Sequence, residues 1–78
     1  MVMYRDFTKR NAYKLGLVGA VRNMGDGSVH IEAEGDGEKL AEFVRVLHKG
    51  PFFSRVKSVT VSHAEPATGN YSDFRIVY

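Results

Sequence analysis

Tyr4, Phe7, Ala12 and Leu15 recur with Thr8 at helical spacing, while Lys9, Arg10, Asn11 and Lys14 fill the other side. That pattern predicts an amphipathic helix over residues 4–15, ended by Gly16 in a left-handed cap. The period then shortens. Leu17 to Met24 and Ser28 to Glu34 read as two strands, joined by Gly25-Asp26-Gly27, which supplies the positive φ values of a tight hairpin. In the second strand Val29, Ile31 and Ala33 alternate with His30, Glu32 and Glu34, predicting one face under a helix layer and one in water. Asp36 is expected to cap a second helix, whose Leu40, Phe43, Val44 and Leu47 follow the i, i+3, i+4, i+7 pattern and which Gly50-Pro51 stops. A third strand is expected from Arg55 to His63, with Val59 and Val61 on one side. A loop at Pro66 and Gly69 and a short strand from Asp73 to Tyr78 complete the chain.

The order helix, strand, strand, helix, strand, strand is the split βαβ unit with its first strand absent and a short strand appended. It predicts an α+β, ferredoxin-like sandwich over residues 1–78: an antiparallel sheet with both helices on one face. Seventy-eight residues with 44% apolar content hold one domain. A core of this size rarely supplies more than about 3–5 kcal/mol without a staple, and the chain has no cysteine to form one, which leaves self-association as the usual remedy. No apolar run reaches membrane-spanning or signal-peptide length, so a soluble, cytoplasmic protein is expected. On that expectation the acceptor pattern Asn70-Tyr71-Ser72 has no consequence.

The net charge is +2, yet five cations, Arg5, Lys9, Arg10, Lys14 and Arg22, share the first 22 residues with one carboxylate, Asp6. Such a field suits either a small-anion pocket or a solvated helix face. His30, His48 and His63 lack metal-ligand spacing, so no metal site is expected. Gly35-Asp36-Gly37 lacks the lysine and the length of a Walker loop and reads as a turn. Glu32 and Glu34 read as a solvated pair. Phe43 and Phe74 fall on apolar stripes, leaving Phe52 and Phe53 for loop or subunit contacts. Nothing matches the aromatic motifs of RNA-binding sheets, and no nucleic-acid partner is expected.

Val2-Met3-Tyr4-Arg5, Leu15-Gly16-Leu17-Val18-Gly19, Val21-Arg22-Asn23, Asp26-Gly27-Ser28-Val29, Gly50-Pro51 and Tyr71-Ser72-Asp73-Phe74-Arg75-Ile76 occur in an order that resembles the acylphosphatases from Val2 to the end of the chain. That family carries a Gly-x-Val-Gln-Gly-Val-x-Phe/Tyr-Arg loop ahead of its first helix, and only the closing part is matched here. The resemblance implies hydrolysis of an acyl phosphate to carboxylate and phosphate, with no metal or other cofactor. It places Arg5 where the family's arginine grips the phosphoryl oxygens, flanked by Met3 and Tyr4 as the remaining phosphate-binding positions. Asn23 falls where the family's asparagine orients the attacking water. The residue types suit the task. A guanidinium holds two phosphoryl oxygens in a fork and stays charged at any relevant pH. A carboxylate already leaves readily, so positioning and electrostatic stabilisation suffice without a strong base.

The same comparison implies two consequences of the unmatched segment. Without most of the glycine loop, backbone donors to the phosphate are lost, and weak or absent activity is expected. Without a strand that the resemblance puts between residues 28–34 and 55–63, the sheet is expected to carry a gap or an open edge, which recruits other copies through strand edges. The partners implied are a small acyl phosphate or inorganic phosphate and further copies of the chain. The alternatives are closure of the sheet within one chain and, for function, a non-catalytic oligomeric structural or binding protein on the same fold.

Overall fold

Tyr4, Thr8 and Ala12 are each wholly buried and stand one helical turn apart, which fixes the inner face of the first helix, α1 (Val2–Lys14). The computed structural model describes residues 2–50 and 58–77. Helix α1 begins two residues before the expected start, because Val2-Met3-Tyr4 contains no cap residue, glycine or proline to hold a loop there. Its end is as expected. Gly16 sits at φ 70°, and the Leu17 N–H donates to the Ala12 carbonyl (2.9 Å), turning the chain sharply into β1 (Val18–Asn23).

Strand β1 pairs antiparallel with β2 (Val29–Glu34), Asn23 opposite Val29 and Val18 opposite Glu34. In the connecting turn the Gly27 N–H donates to Met24 O (3.2 Å) and the Met24 N–H to Ser28 O (2.8 Å). Only Gly27, at φ 93°, takes a positive φ there; Gly25 does not. The Asp26 carboxylate accepts from the Ser28 N–H (3.0 Å) and hydroxyl (2.6 Å), so the turn is locked by its own side chains.

Helix α2 (Gly37–Lys49) buries Leu40, Phe43 and Leu47 and shows water its charged side, where Arg45 and Glu42 pair. Asp36 stands at the N-cap position but makes no side-chain cap bond. Glu65, 28 residues away, takes that role: its carboxylate accepts the Gly37 N–H at 3.0 Å. At the other end Gly50 is extended rather than left-handed, as the following proline requires.

The sheet is mixed, not wholly antiparallel, with order β3-β2-β1-β4. Strand β3 (Val59–Ala64) lies parallel to β2, and β4 (Phe74–Val77) parallel to β1. The expected gap is closed: β2 and β3 are direct neighbours in register from Val29–Val59 to Glu34–Ala64. Two strands that each ran antiparallel to an intervening one would share a direction, so pairing them directly produces a parallel ladder. Residues 55–57, Phe52, Phe53 and Tyr78, expected in strands or contacts, lie outside the described residues.

Both helices cover the face that carries Val21, Val29, Ile31, Ala33 and Phe74, all in one cluster with Tyr4, Ala12, Leu40, Phe43 and Leu47. Phe43 and Phe74 meet edge to face, 5.9 Å between ring centres, which joins α2 to the far edge of the sheet. The opposite face carries Ala20, Arg22, His30, Glu32, Glu34, Thr60, Ser62 and Arg75, by strand alternation.

Candidate active site

Helix α1 and strand β1 run in opposite directions through a tight reversal, so the first turn of α1 and the last residue of β1 lie at one end of the molecule. From Arg5 to the helix end is roughly 14 Å at about 1.5 Å per residue, and β1 returns roughly 20 Å. Arg5 and Asn23 are therefore brought to the same end. Asn23 also lies on the helix-covered face, because it alternates with Val21 and pairs with the buried Val29.

Arg5 is half-buried, with its Nε withdrawn from solvent. Its neighbours along α1 are held by bonds of their own. The Thr8 hydroxyl donates to the Tyr4 carbonyl (2.8 Å), the Asn11 amide to Phe7 O (2.9 Å), and the Tyr4 hydroxyl to Leu47 O (3.4 Å). Burial pushes the Tyr4 phenol up to about 12, so it stays neutral and serves as an anchor between the helices.

Asn23 is half-buried, and its Oδ1 is buried without a hydrogen-bond donor among the described residues. An acceptor left so costs about 1–3 kcal/mol.

The Met3 side chain is exposed and that of Tyr4 points into the core. First-turn N–H groups have no partner within their own helix, and the first turn of α1 carries no acidic side chain. Lys9 is drawn over the Tyr13 ring (5.8 Å).

A model of the acylphosphatase family matches residues 1–76. The chain belongs to the acylphosphatase family. An acylphosphatase of Dehalococcoides mccartyi strain CBDB1 is 49% identical over 76 residues, covering 96% of this chain and 82% of the relative. One from Thermotoga petrophila is 46% identical over 77 residues, with 99% and 83% covered. One from Solibacter usitatus is 43% identical over 75 residues, with 96% and 76% covered. Hydrolysis of acyl phosphates is thus the activity of the family to which this acylphosphatase-like chain belongs, and the two-helix, four-strand sandwich fits that assignment.

Away from that end, the outer sheet face differs from expectation. Glu34 is buried, not solvated: its carboxylate accepts the Thr68 N–H (3.1 Å) and hydroxyl (2.8 Å), because the loop after β3 folds back over it. Nearby, the Tyr71 phenol is pushed up by burial, then by the charge and hydrogen bond of Glu32 and the charge of Glu34, with Arg22 opposing. Neither contact carried a sequence signal, since Thr68 lies 34 residues from Glu34. Among the described residues no three His, Cys, Asp or Glu side chains gather to hold a metal ion, and no helix is long and apolar enough to cross a membrane. A cavity of about 160 Å³ between α2 and β3, lined by Leu40, Ala41, Val44, His63, Gly37 and Glu65, opens at the opposite end of the sheet from Asn23.

Proposed function

We propose that Arg5 grips the phosphoryl oxygens of a small acyl phosphate and that Asn23 aligns the water that attacks phosphorus. The observation that carries this reading is the Asn23 Oδ1, buried and lacking a donor among the described residues, at the end of the molecule where the Arg5 turn begins. A water bound there donates one O–H to Oδ1 and turns a lone pair toward the phosphorus. Attack forms the new P–O bond while the bond to the acyl oxygen breaks, releasing carboxylate. The water's protons pass to phosphate and solvent. The guanidinium and the open first-turn N–H groups offset the phosphoryl charge as it spreads.

Among the described residues, Arg5 and those N–H groups are the ones assigned to the phosphate. A full cradle adds about three charge-assisted hydrogen bonds of about 1.5–3 kcal/mol each, a large share of the about 8–23 kcal/mol by which enzymes lower barriers. The 78-residue chain is accordingly a weak hydrolase that retains affinity for phosphate. Its cysteine-free composition is compatible with a reducing, cytoplasmic setting. A second reading is a non-catalytic self-associating binding protein; among the described residues no strand pairs with the outer side of β3.

The test is benzoyl phosphate hydrolysis by the 78-residue chain and by a form with a strand and glycine loop fused ahead of Val2, each with and without Arg5→Ala. The extension should raise kcat/KM by at least about 100-fold, and Arg5→Ala should remove that gain. Equal rates in the short and extended forms would refute the weakened cradle. Indifference of the extended form to Arg5→Ala would refute the role given to Arg5.

A further inference from the structure

Among the described residues the large apolar side chains most open to water are Met3, Tyr13 and Met24, at 54%, 56% and 44% exposure. Tyr13 has a reason to stand there, since Lys9 lies over its ring. The two methionines stand at the end of the molecule that holds Arg5 and Asn23, Met3 in the first turn of α1 and Met24 directly after β1. Their places relative to the reaction differ.

Phosphoryl transfer sets the attacking and leaving oxygens in line, on opposite sides of phosphorus. Asn23 lies on the helix-covered face of the sheet, so a water held by its Oδ1 approaches from the sheet. The acyl oxygen then leaves away from the sheet, toward the outer side of α1. Met3 occupies that side. Tyr4, Thr8 and Ala12 mark the inner face of α1, and Met3 stands roughly 140° around the helix from its centre, at about 100° per residue. Helical side chains lean toward the N-terminus, which carries Met3 past the first turn, over the place where the acyl group emerges. Met24 is tied into the β1–β2 turn by its N–H to Ser28 O (2.8 Å) and remains at the level of the sheet, on the water's side of phosphorus.

The surroundings of Met3 narrow the chemistry further. One turn along α1, Phe7 packs half-buried against the core, so Met3 continues an apolar stripe from the core to the site. Asp6, three positions on and exposed, sets a carboxylate beside that stripe. A flexible thioether fits alkyl and aryl groups alike, and the neighbouring carboxylate repels a second acid. We infer that Met3 receives the acyl group of the substrate, and that this chain selects acyl phosphates with an apolar, uncharged acyl group over acetyl or carboxylate-bearing ones. The inference rests on the roles proposed for Arg5 and Asn23.

Acyl phosphonates test it, because their P–C bond is not hydrolysed and binding is read without turnover. Amide-shift titrations of the 78-residue chain with benzoylphosphonate, acetylphosphonate, 3-carboxypropanoylphosphonate and inorganic phosphate give four Kd values for each protein. The native chain should bind the benzoyl compound at least about fivefold more tightly than the acetyl one, and the carboxypropanoyl compound no better than the acetyl one. Met3→Gln should bring the benzoyl-to-acetyl ratio close to one, Met3→Leu should keep it, and Met24→Gln should leave it as in the native chain. A native ratio near one, a ratio that survives Met3→Gln or is lost in Met3→Leu, a fall in Met24→Gln equal to that in Met3→Gln, or a carboxypropanoyl compound bound as tightly as the benzoyl one would each overturn the inference. Arg5→Ala should weaken all four ligands, phosphate included, by a similar factor. Phosphate affinity indifferent to Arg5→Ala would overturn the phosphate-binding role of Arg5 and this inference with it, an outcome distinct from loss of the ratio alone.

Discussion

Replacing Asn23 by alanine separates a residue held for chemistry from one held for the fold. The Oδ1 is buried with no donor among the described residues, a penalty of about 1–3 kcal/mol to the native state. Alanine removes that penalty and gives up the packing of a half-buried side chain at the end of β1, about 1 kcal/mol. The balance runs from near zero to about 2 kcal/mol in favour of the variant, against the destabilisation that most substitutions bring. Hydrolysis should move the other way: losing one preorganised group costs about 100- to 1,000-fold in kcat where such groups have been removed. Since Asn23 is assigned to water rather than phosphate, KM and inhibition by inorganic phosphate should stay within about twofold. Urea unfolding followed by circular dichroism gives the stability, and benzoyl phosphate kinetics on the loop-extended form give the split between kcat and KM. An alanine variant that loses more than about 1 kcal/mol while keeping its kcat would show that Asn23 is structural, and the reasoning from its orphaned oxygen would be refuted.

Tyr4→Phe should cost little near neutral pH and flatten the alkaline limb of the stability curve. The raised phenol binds its proton more tightly folded than unfolded, so the native protein loses about 2–3 kcal/mol of stability as the pH rises from 10 toward 12, a loss that phenylalanine, which cannot ionise, avoids. Urea midpoints that run parallel for both proteins from pH 9 to 12 would contradict this. Gly19→Ala should prevent stable folding, because a Cβ there drives into the Glu32 carbonyl of the paired strand and the backbone stands at φ 147°; a cooperative, near-native melt would contradict it. Glu34→Ala leaves the Thr68 N–H and hydroxyl without their acceptor and should cost about 2 kcal/mol, with faster amide exchange confined to residues 65–73; uniform exchange throughout the protein would count against a local clamp.

Periodicity made the layers legible. Tyr4, Thr8 and Ala12, Leu40, Phe43 and Leu47, and Val29, Ile31 and Ala33 are buried where the spacing put them, since each stripe is a local property of one element. Contacts between distant segments were not legible. Glu65 capping α2 in place of Asp36, and Thr68 covering Glu34, each join residues about thirty positions apart, and no period encodes such a pairing. The direct β2–β3 ladder was hidden for the same reason: strand order is decided by which edges meet, and either closure or a gap satisfied the same alternation. At the candidate site, residue type and order pointed to Arg5 and Asn23, whereas the orphaned Asn23 oxygen emerged only from three-dimensional packing.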